Sequence, residues 1–173
     1  MIFTLRLSGM QGFFRYWLPV LVWLALIFVG STDVMSAEQT SRFLLPFLRW
    51  LKPDFSLEAL ALIHFFMRKL GHLTEYAILA ILLWRLTFRG MELKLRRPNL
   101  YGGVWILATL FAASDEYHQS FVPSRTAALG DVTIDSVGAM VGLAISFALA
   151  QRTSIRLEQK RLVERPVSGP ERI

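Results

Sequence analysis

Four long apolar blocks dominate the hydrophobic pattern of the chain, and short polar or basic stretches separate them. The blocks lie at about residues 13–31, 62–86, 100–122 and 131–150. A helix needs about 20 predominantly apolar residues to cross the hydrocarbon core of a bilayer. The pattern therefore predicts an all-α, polytopic membrane protein whose four transmembrane helices form a bundle.

The stretch between the first two blocks has its own helical pattern. Arg42, Arg49 and Lys52 are spaced at i, i+7 and i+10, which places them on one helix face. Much of the remaining surface is apolar: Phe43, Leu44, Phe47, Leu48, Trp50 and Leu51. This pattern is typical of a short interfacial helix in the headgroup region, bent by Pro46. An extracytoplasmic linker packed on the bundle is the alternative.

Basic residues predict the orientation. Of the 19 Lys and Arg residues, 13 lie before or at the start of the first block, from the end of the second block to the start of the third, or after the fourth. The positive-inside rule then places both termini in the cytoplasm, although Arg42, Arg49 and Lys52 oppose it. A cleavable signal peptide is the alternative for the first block, but residues 35–37 make a poor cleavage site. Residues 151–173 are interpreted as a basic cytoplasmic tail, partly disordered.

Composition narrows the class of protein further. The 173 residues are 54% hydrophobic and 18% charged, with a formal net charge of +6. Because the basic residues lie between and beyond the apolar blocks, we expect no nucleic-acid partner. The absence of cysteine excludes disulfides, cysteine metal sites and thiol catalysis.

Ionisable side chains interrupt the apolar blocks, where each costs about 2.5–3.5 kcal/mol near the bilayer centre on insertion scales. Positions that share a helix face are Lys69, His72 and Tyr76; Asp115, His118 and Gln119; and Asp131, Asp135, Gly138 and Gly142. In the predicted orientation they form one polar cluster in the outer leaflet, in which we expect Lys69 to pair with Asp115 or Glu116. Simpler structural roles are the alternative to ligand binding. Asp131 and Asp135 begin a helix, where the helix dipole favours negative charge, and Gly138 and Gly142 form a face on which a neighbouring helix can pack.

The polar cluster supplies two sets of candidates. Ligand-binding candidates are Asp33, Lys69, His72, Glu75, Tyr76, Asp115, Glu116, Gln119, Arg125, Asp131 and Asp135. Catalytic candidates are His72, Asp115, Glu116 and His118. We expect no resident metal and no cofactor.

Several short motifs, in this order and spacing, resemble the VanZ-like family. They are DEYHQ at 115–119, VPSRT at 122–126, Asp131 and GAMVG at 138–142, preceded by Asp33, Lys69, His72, Glu75 and Tyr76. The resemblance covers about residues 20–150 and identifies residues 1–150 as a VanZ-like domain. This chain departs from the family pattern at Arg68, where an acid is frequent, and at Asp135, where Asn is common.

The resemblance implies a multi-pass protein of the bacterial cytoplasmic membrane, linked to low-level resistance to the glycopeptide teicoplanin. Two functions are favoured, and a proton or ion pathway is a third alternative, less favoured because the polar residues are confined to one half of the membrane. The protein binds the headgroup of a membrane lipid or lipid-linked cell-wall precursor, or it is an intramembrane hydrolase or transferase acting on such a substrate. The sequence names neither the ligand nor the oligomeric state, and it leaves open whether the antibiotic phenotype applies here.

Overall fold

The computed structural model describes residues 9–33, 37–54, 56–90, 97–125 and 128–163. Within these ranges the chain forms helices and the turns between them, without any strand, which confirms the predicted all-α class. The main helices in chain order are α1 (Gly9–Gly30), α2 (Ala37–Leu51), α3 (Leu57–Arg85), α4 (Arg97–Gln119) and α5 (Leu129–Val163).

Two of the described helices, α1 and α5, are long and apolar enough to cross a membrane by length and hydropathy alone. Helix α1 contains one π-helical turn, Phe13–Trp17, just before Pro19. Proline lacks a backbone N–H and its ring clashes with the carbonyl four residues earlier, here that of Arg15 within the π turn. The wider turn accommodates this local break, so α1 continues as one helix.

Helix α3 begins at a side-chain cap. The Ser56 hydroxyl accepts a hydrogen bond from the Ala59 N–H at 3.1 Å, and Glu58 places negative charge in the first turn. Both features stabilise a helix N-terminus. The helix then runs through the polar positions of the second apolar block and passes into a π-helical turn, Leu86–Gly90.

The ends of α4 and α5 differ from the predicted spans. Helix α4 ends at Gln119 rather than 122, because the chain turns before Pro123 and a residue preceding proline is disfavoured in helices. Helix α5 runs past 150 without a break and includes the charged stretch to Val163. The last part of the predicted tail, residues 164–173, lies outside the described residues.

Helices α3 and α5 pack most closely of all pairs. A Cβ atom on Gly138 would overlap the backbone carbonyl of Leu73, and one on Gly142 would overlap that of Ala77. Glycine at both positions lets the two backbones come into direct contact. The predicted packing role of these glycines is thereby confirmed.

The apolar core lies where α1, α3, α4 and α5 meet. Its most buried side chains include Val20, Ile27, Tyr76, Leu79, Ala80, Leu83, Val104, Ala108, Ala112 and Ala139. Helix α2 packs against α3 and buries Leu48, while it leaves Phe43, Phe47 and Trp50 exposed. The predicted helix is confirmed, and its place in the headgroup region stays a prediction.

Candidate functional site

Polar side chains from four elements meet at one end of the bundle, and the strongest contacts join α3 to α5. Lys69 Nζ donates to Asp131 Oδ1, and Arg68 Nη2 donates to Asp131 Oδ2 at 3.3 Å. Asp131 is 1% exposed, whereas the two basic side chains are 22% and 23% exposed. The expected pairing of Lys69 with Asp115 or Glu116 is therefore wrong, because Lys69 faces the first turn of α5.

One helical turn further along both helices, His72 meets Asp135. His72 Nδ1 lies 3.2 Å from Asp135 Oδ1, and His72 Nε2 lies 3.9 Å from Asp131 Oδ2. Residues three or four apart share a helix face, so the two contacts form consecutive rungs between α3 and α5. Because His72 and Asp135 are both buried, the ring is held in one orientation by its carboxylate partner.

A second group of contacts joins α4 to the end of α1. Asp115 accepts a hydrogen bond from the Ser31 hydroxyl and another from Gln119 Nε2 at 2.9 Å. Ser31 is buried, and Gln119 Nε2 also lies 3.4 Å from its hydroxyl oxygen. The sequence analysis missed Ser31, although its position two residues before Asp33 at the end of an apolar block was a usable signal.

Glu75 and Tyr76 lie between these two groups. Glu75 interacts electrostatically with His72 and Asp135 on one side and with Asp115 on the other. Tyr76 is 1% exposed, and its hydroxyl has no hydrogen-bond partner among the described residues. The structure thus brings the predicted polar positions of α3, α4 and α5, except His118, into one continuous cluster.

Glu116 holds the start of α5. Its Oε1 accepts a hydrogen bond from the backbone N–H of Ala128, the residue before the helix begins. The Ala128 carbonyl in turn accepts from the Asp131 N–H at 2.7 Å. Glu116 therefore binds a free N–H at a helix N-terminus, where negative charge is favoured.

Arg125 caps the other helix that ends here. Its guanidinium donates to the backbone carbonyls of Gly30 and Thr32. Burial lowers the pKa of Arg125, and the nearby Arg68 charge lowers it further. The predicted ligand-binding role of Arg125 competes with this contact to the end of α1. Asp33 is exposed and contributes charge near Arg125 from the rim of the cluster.

His118 lies apart from the cluster. Its ring contacts that of Phe28 of α1 in a tilted arrangement with centroids 4.8 Å apart, and its Nδ1 has no hydrogen-bond partner among the described residues. The general-base hypothesis for His118 therefore has no carboxylate partner to support it in the described part of the chain. His72, by contrast, has one in Asp135.

The sequence was compared with models of known protein families. The model of the VanZ/LLP1 family matches residues 16–150, well over half of the chain. The chain belongs to the VanZ/LLP1 family. The matched region spans every helix that contributes to the cluster. No significant match was found among curated proteins or among solved structures.

In this VanZ/LLP1 protein the cluster offers acid–base and ion-pairing groups. Among the described residues, no three His, Cys, Asp or Glu side chains are arranged to hold a metal ion. The chemistry that its residues can perform is proton exchange at the His72–Asp135 pair and pairing of Arg68 and Lys69 with anions.

Proposed function

We propose that this VanZ/LLP1 protein spans the bacterial cytoplasmic membrane four times, with both termini in the cytoplasm. Helices α3 and α4 carry charges, yet each also presents large apolar side chains outward. They are Leu62, Phe65, Phe66, Met67 and Leu70 on α3, and Ile106, Leu107 and Leu110 on α4. Continuous exposed apolar faces of this kind favour contact with lipid over contact with water.

We infer that the polar cluster binds the headgroup of a membrane lipid or of a lipid-linked cell-wall precursor. The observation that carries this proposal is the partial exposure of Arg68 and Lys69 at the edge of a buried acidic cluster. Lys69 Nζ also lies 5.2 Å from the centre of the Phe65 ring, whose outer side is exposed. Two cations beside an exposed apolar face match an amphiphile with an anionic headgroup.

The geometry suits an anion that approaches from the rim. Asp131 lies on the buried side of both cations, whose side chains are 22% and 23% exposed at the edge of the cluster. A phosphate or carboxylate there would gain charge-assisted hydrogen bonds without stripping Asp131 of its partners. The family link to glycopeptide resistance would then reflect binding of a precursor that such antibiotics also recognise.

The lipid content of the purified protein tests this proposal. Protein extracted gently from membranes should carry one anionic or polyprenyl lipid enriched over the bulk membrane, as measured by lipid mass spectrometry. Arg68→Gln should abolish the enrichment, and Arg49→Gln, which removes an exposed arginine on α2, should preserve it. A lipid profile identical to that of the bulk membrane would contradict headgroup binding.

The buried His72–Asp135 pair favours a second candidate, an intramembrane hydrolase or transferase. A histidine oriented by a carboxylate is a common general base. In this alternative, His72 would take a proton from water or from a lipid hydroxyl as that oxygen attacks the substrate. The bond to the leaving oxygen would break, and His72 would return the proton to that oxygen. Conversion of a lipid-linked substrate on incubation, lost in His72→Gln, would support the enzyme. Enrichment without conversion would support the binding protein.

A further inference from the structure

An aromatic cleft lies at the end of the bundle opposite the polar cluster. Its lining side chains come from α3, the π-helical turn after it, α4 and α5: Trp84, Phe88, Leu100, Tyr101 and Ala150. We call it the Trp84 cleft. It contains about 220 Å³ of empty space, counting the space open at its mouth. Apolar clefts between the helices of a bundle are common places for ligands to bind.

Ring contacts hold the walls of the Trp84 cleft in place. Trp84 stacks on Phe88 with ring centroids 5.1 Å apart, and on Tyr101 with centroids 6.0 Å apart. Tyr101 in turn packs against Phe147 of α5 in a T-shaped arrangement, with centroids 6.1 Å apart. Aromatic side chains of α3, α4 and α5 therefore build the cleft together.

The depth of the cleft follows from the lengths of the helices. Trp84 is 15 residues after Lys69 on α3, and Ala150 is 19 residues after Asp131 on α5. At 1.5 Å per residue, the cleft is about 22–28 Å from the polar cluster, close to the thickness of about 30 Å of a hydrocarbon core. In the four-span orientation proposed above, on which this step rests, the cleft lies at the cytoplasmic boundary of the membrane. Trp and Tyr are enriched at such boundaries.

Two polar features of the cleft match a charged headgroup. Trp84 Nε1 is buried and has no hydrogen-bond partner in the part of the chain that the structure describes. A buried donor is rarely left unpaired, and a lipid phosphate or ester oxygen can accept from it. Arg89 and Arg152 are exposed, and they follow the lining residues Phe88 and Ala150 by one and two positions. Such long side chains rest on apolar surface and place their charge in the headgroup region.

We propose that the Trp84 cleft binds an anionic phospholipid of the cytoplasmic leaflet. Part of one acyl chain fills the cleft, the phosphate lies against Arg89 and Arg152, and a lipid oxygen accepts from Trp84 Nε1. Basic pockets at the cytoplasmic end of membrane helices favour anionic headgroups in this way. A zwitterionic lipid has the same chains, but its ammonium group offsets the charge of its phosphate. The cleft is separate from the polar cluster, whose proposed ligand lies in the opposite leaflet.

Native mass spectrometry of the full-length protein in detergent tests the proposal. Phosphatidylglycerol should form a saturable one-to-one adduct, about fivefold tighter than that of phosphatidylcholine with the same chains, the order of one cation near an anionic headgroup. The titration is repeated with Arg68→Gln. An adduct lost in that variant belongs to the polar cluster and tests the proposed headgroup function, whereas an adduct that persists belongs to the cleft. Absence of a persistent adduct, or equal affinity for the two lipids, would overturn the proposal.

Ala150→Leu fills the cleft and should weaken phosphatidylglycerol binding at least tenfold, because the added side chain takes the space of the acyl chain. Ala148→Leu is the matched control, since Ala148 is exposed on the same helix and does not line the cleft. Its affinity should equal that of the wild type. Wild-type affinity in Ala150→Leu would show that the lipid binds elsewhere.

Arg89→Gln separates headgroup recognition from packing, because Arg89 is exposed and its loss leaves the ring contacts intact. Phosphatidylglycerol binding should weaken about fivefold, and phosphatidylcholine binding should weaken less. Arg49→Gln, on α2 at the other end of the bundle, should change neither. If Ala150→Leu does not fold, this comparison decides the proposal alone, and equal effects of Arg89→Gln on the two lipids would overturn it.

Discussion

Lys69 of α3 donates to Asp131 of α5, a carboxylate that is 1% exposed and that Arg68 also contacts. The pair joins the two helices with the most extensive packing in the described structure. Because Asp131 is shielded from water, its charge depends on these two cations. Removing one of them leaves a partly uncompensated charge among apolar helices.

Lys69→Met should therefore lower the folded yield in the membrane, despite the similar length of the side chain. We expect a loss of about 3 kcal/mol, the lower end for breaking a buried pair, because Arg68 still contacts Asp131. Adding Asp131→Asn should recover part of the yield, and adding Asp115→Asn should not. Yield of monodisperse protein by fluorescence-detected size exclusion measures the difference. Recovery with Asp115→Asn instead would disprove the pairing.

Asp131 and Asp135 should respond differently to the same substitution. Asp135→Asn keeps an oxygen that can accept from His72 Nδ1, so folding should be retained. Asp131→Asn removes the charge on which Arg68 and Lys69 converge, and the folded yield should fall. Thermal unfolding of the two variants side by side makes the comparison. Greater instability of Asp135→Asn would reverse the assigned roles.

Gly142→Ala should destabilise the bundle, because the added methyl group would overlap the Ala77 carbonyl. Overpacking of this kind costs about 1–3 kcal/mol. Gly103→Ala in α4 is the control, since nothing lies within 4 Å of the added Cβ. There the gain in helix propensity, about 1 kcal/mol, should raise the melting temperature slightly. Equal melting temperatures for both variants would show that α3 and α5 are not in backbone contact.

The four-span orientation is tested by cysteine labelling, for which the native chain is convenient because it has no cysteine. Ser120→Cys, at an exposed position in the turn after α4, should react with an impermeant thiol reagent added outside intact cells. Thr153→Cys, exposed on the extension of α5, should react only after permeabilisation. The opposite labelling pattern would show that the orientation in the membrane is the reverse of the one proposed.

The apolar blocks were enough to predict helices α1, α3, α4 and α5, because each block is long and mostly apolar. The partner of Lys69 could not be derived in the same way. Spacing along one helix gives the face on which a side chain lies, but not which neighbouring helix that face meets. Packing decided this, since Gly138 and Gly142 bring α5 into closer contact with α3 than α4.

The polar residues at the end of α4 also show what spacing along one helix cannot predict. His118 and Gln119 are adjacent in sequence and so point about 100° apart around the helix. Gln119 contacts Asp115 inside the cluster, while the His118 ring contacts Phe28. The i, i+3, i+4 pattern placed all three on one broad face. The pattern could not show that α1 packs so close to α4 that His118 contacts Phe28 of α1 rather than the cluster that contains Asp115 and Gln119.

The backbone contacts of Gly138 with Leu73 and of Gly142 with Ala77 fix how α3 and α5 can move. Together with the Lys69–Asp131 and His72–Asp135 rungs, they prevent sliding of one helix along the other. A rearrangement that admits a ligand must then come from another helix. Helix α1 is held at its polar end by separate hydrogen bonds of Trp23, Ser31 and Arg125. The α3–α5 pair thus acts as the fixed frame of the bundle, against which α1 packs less extensively.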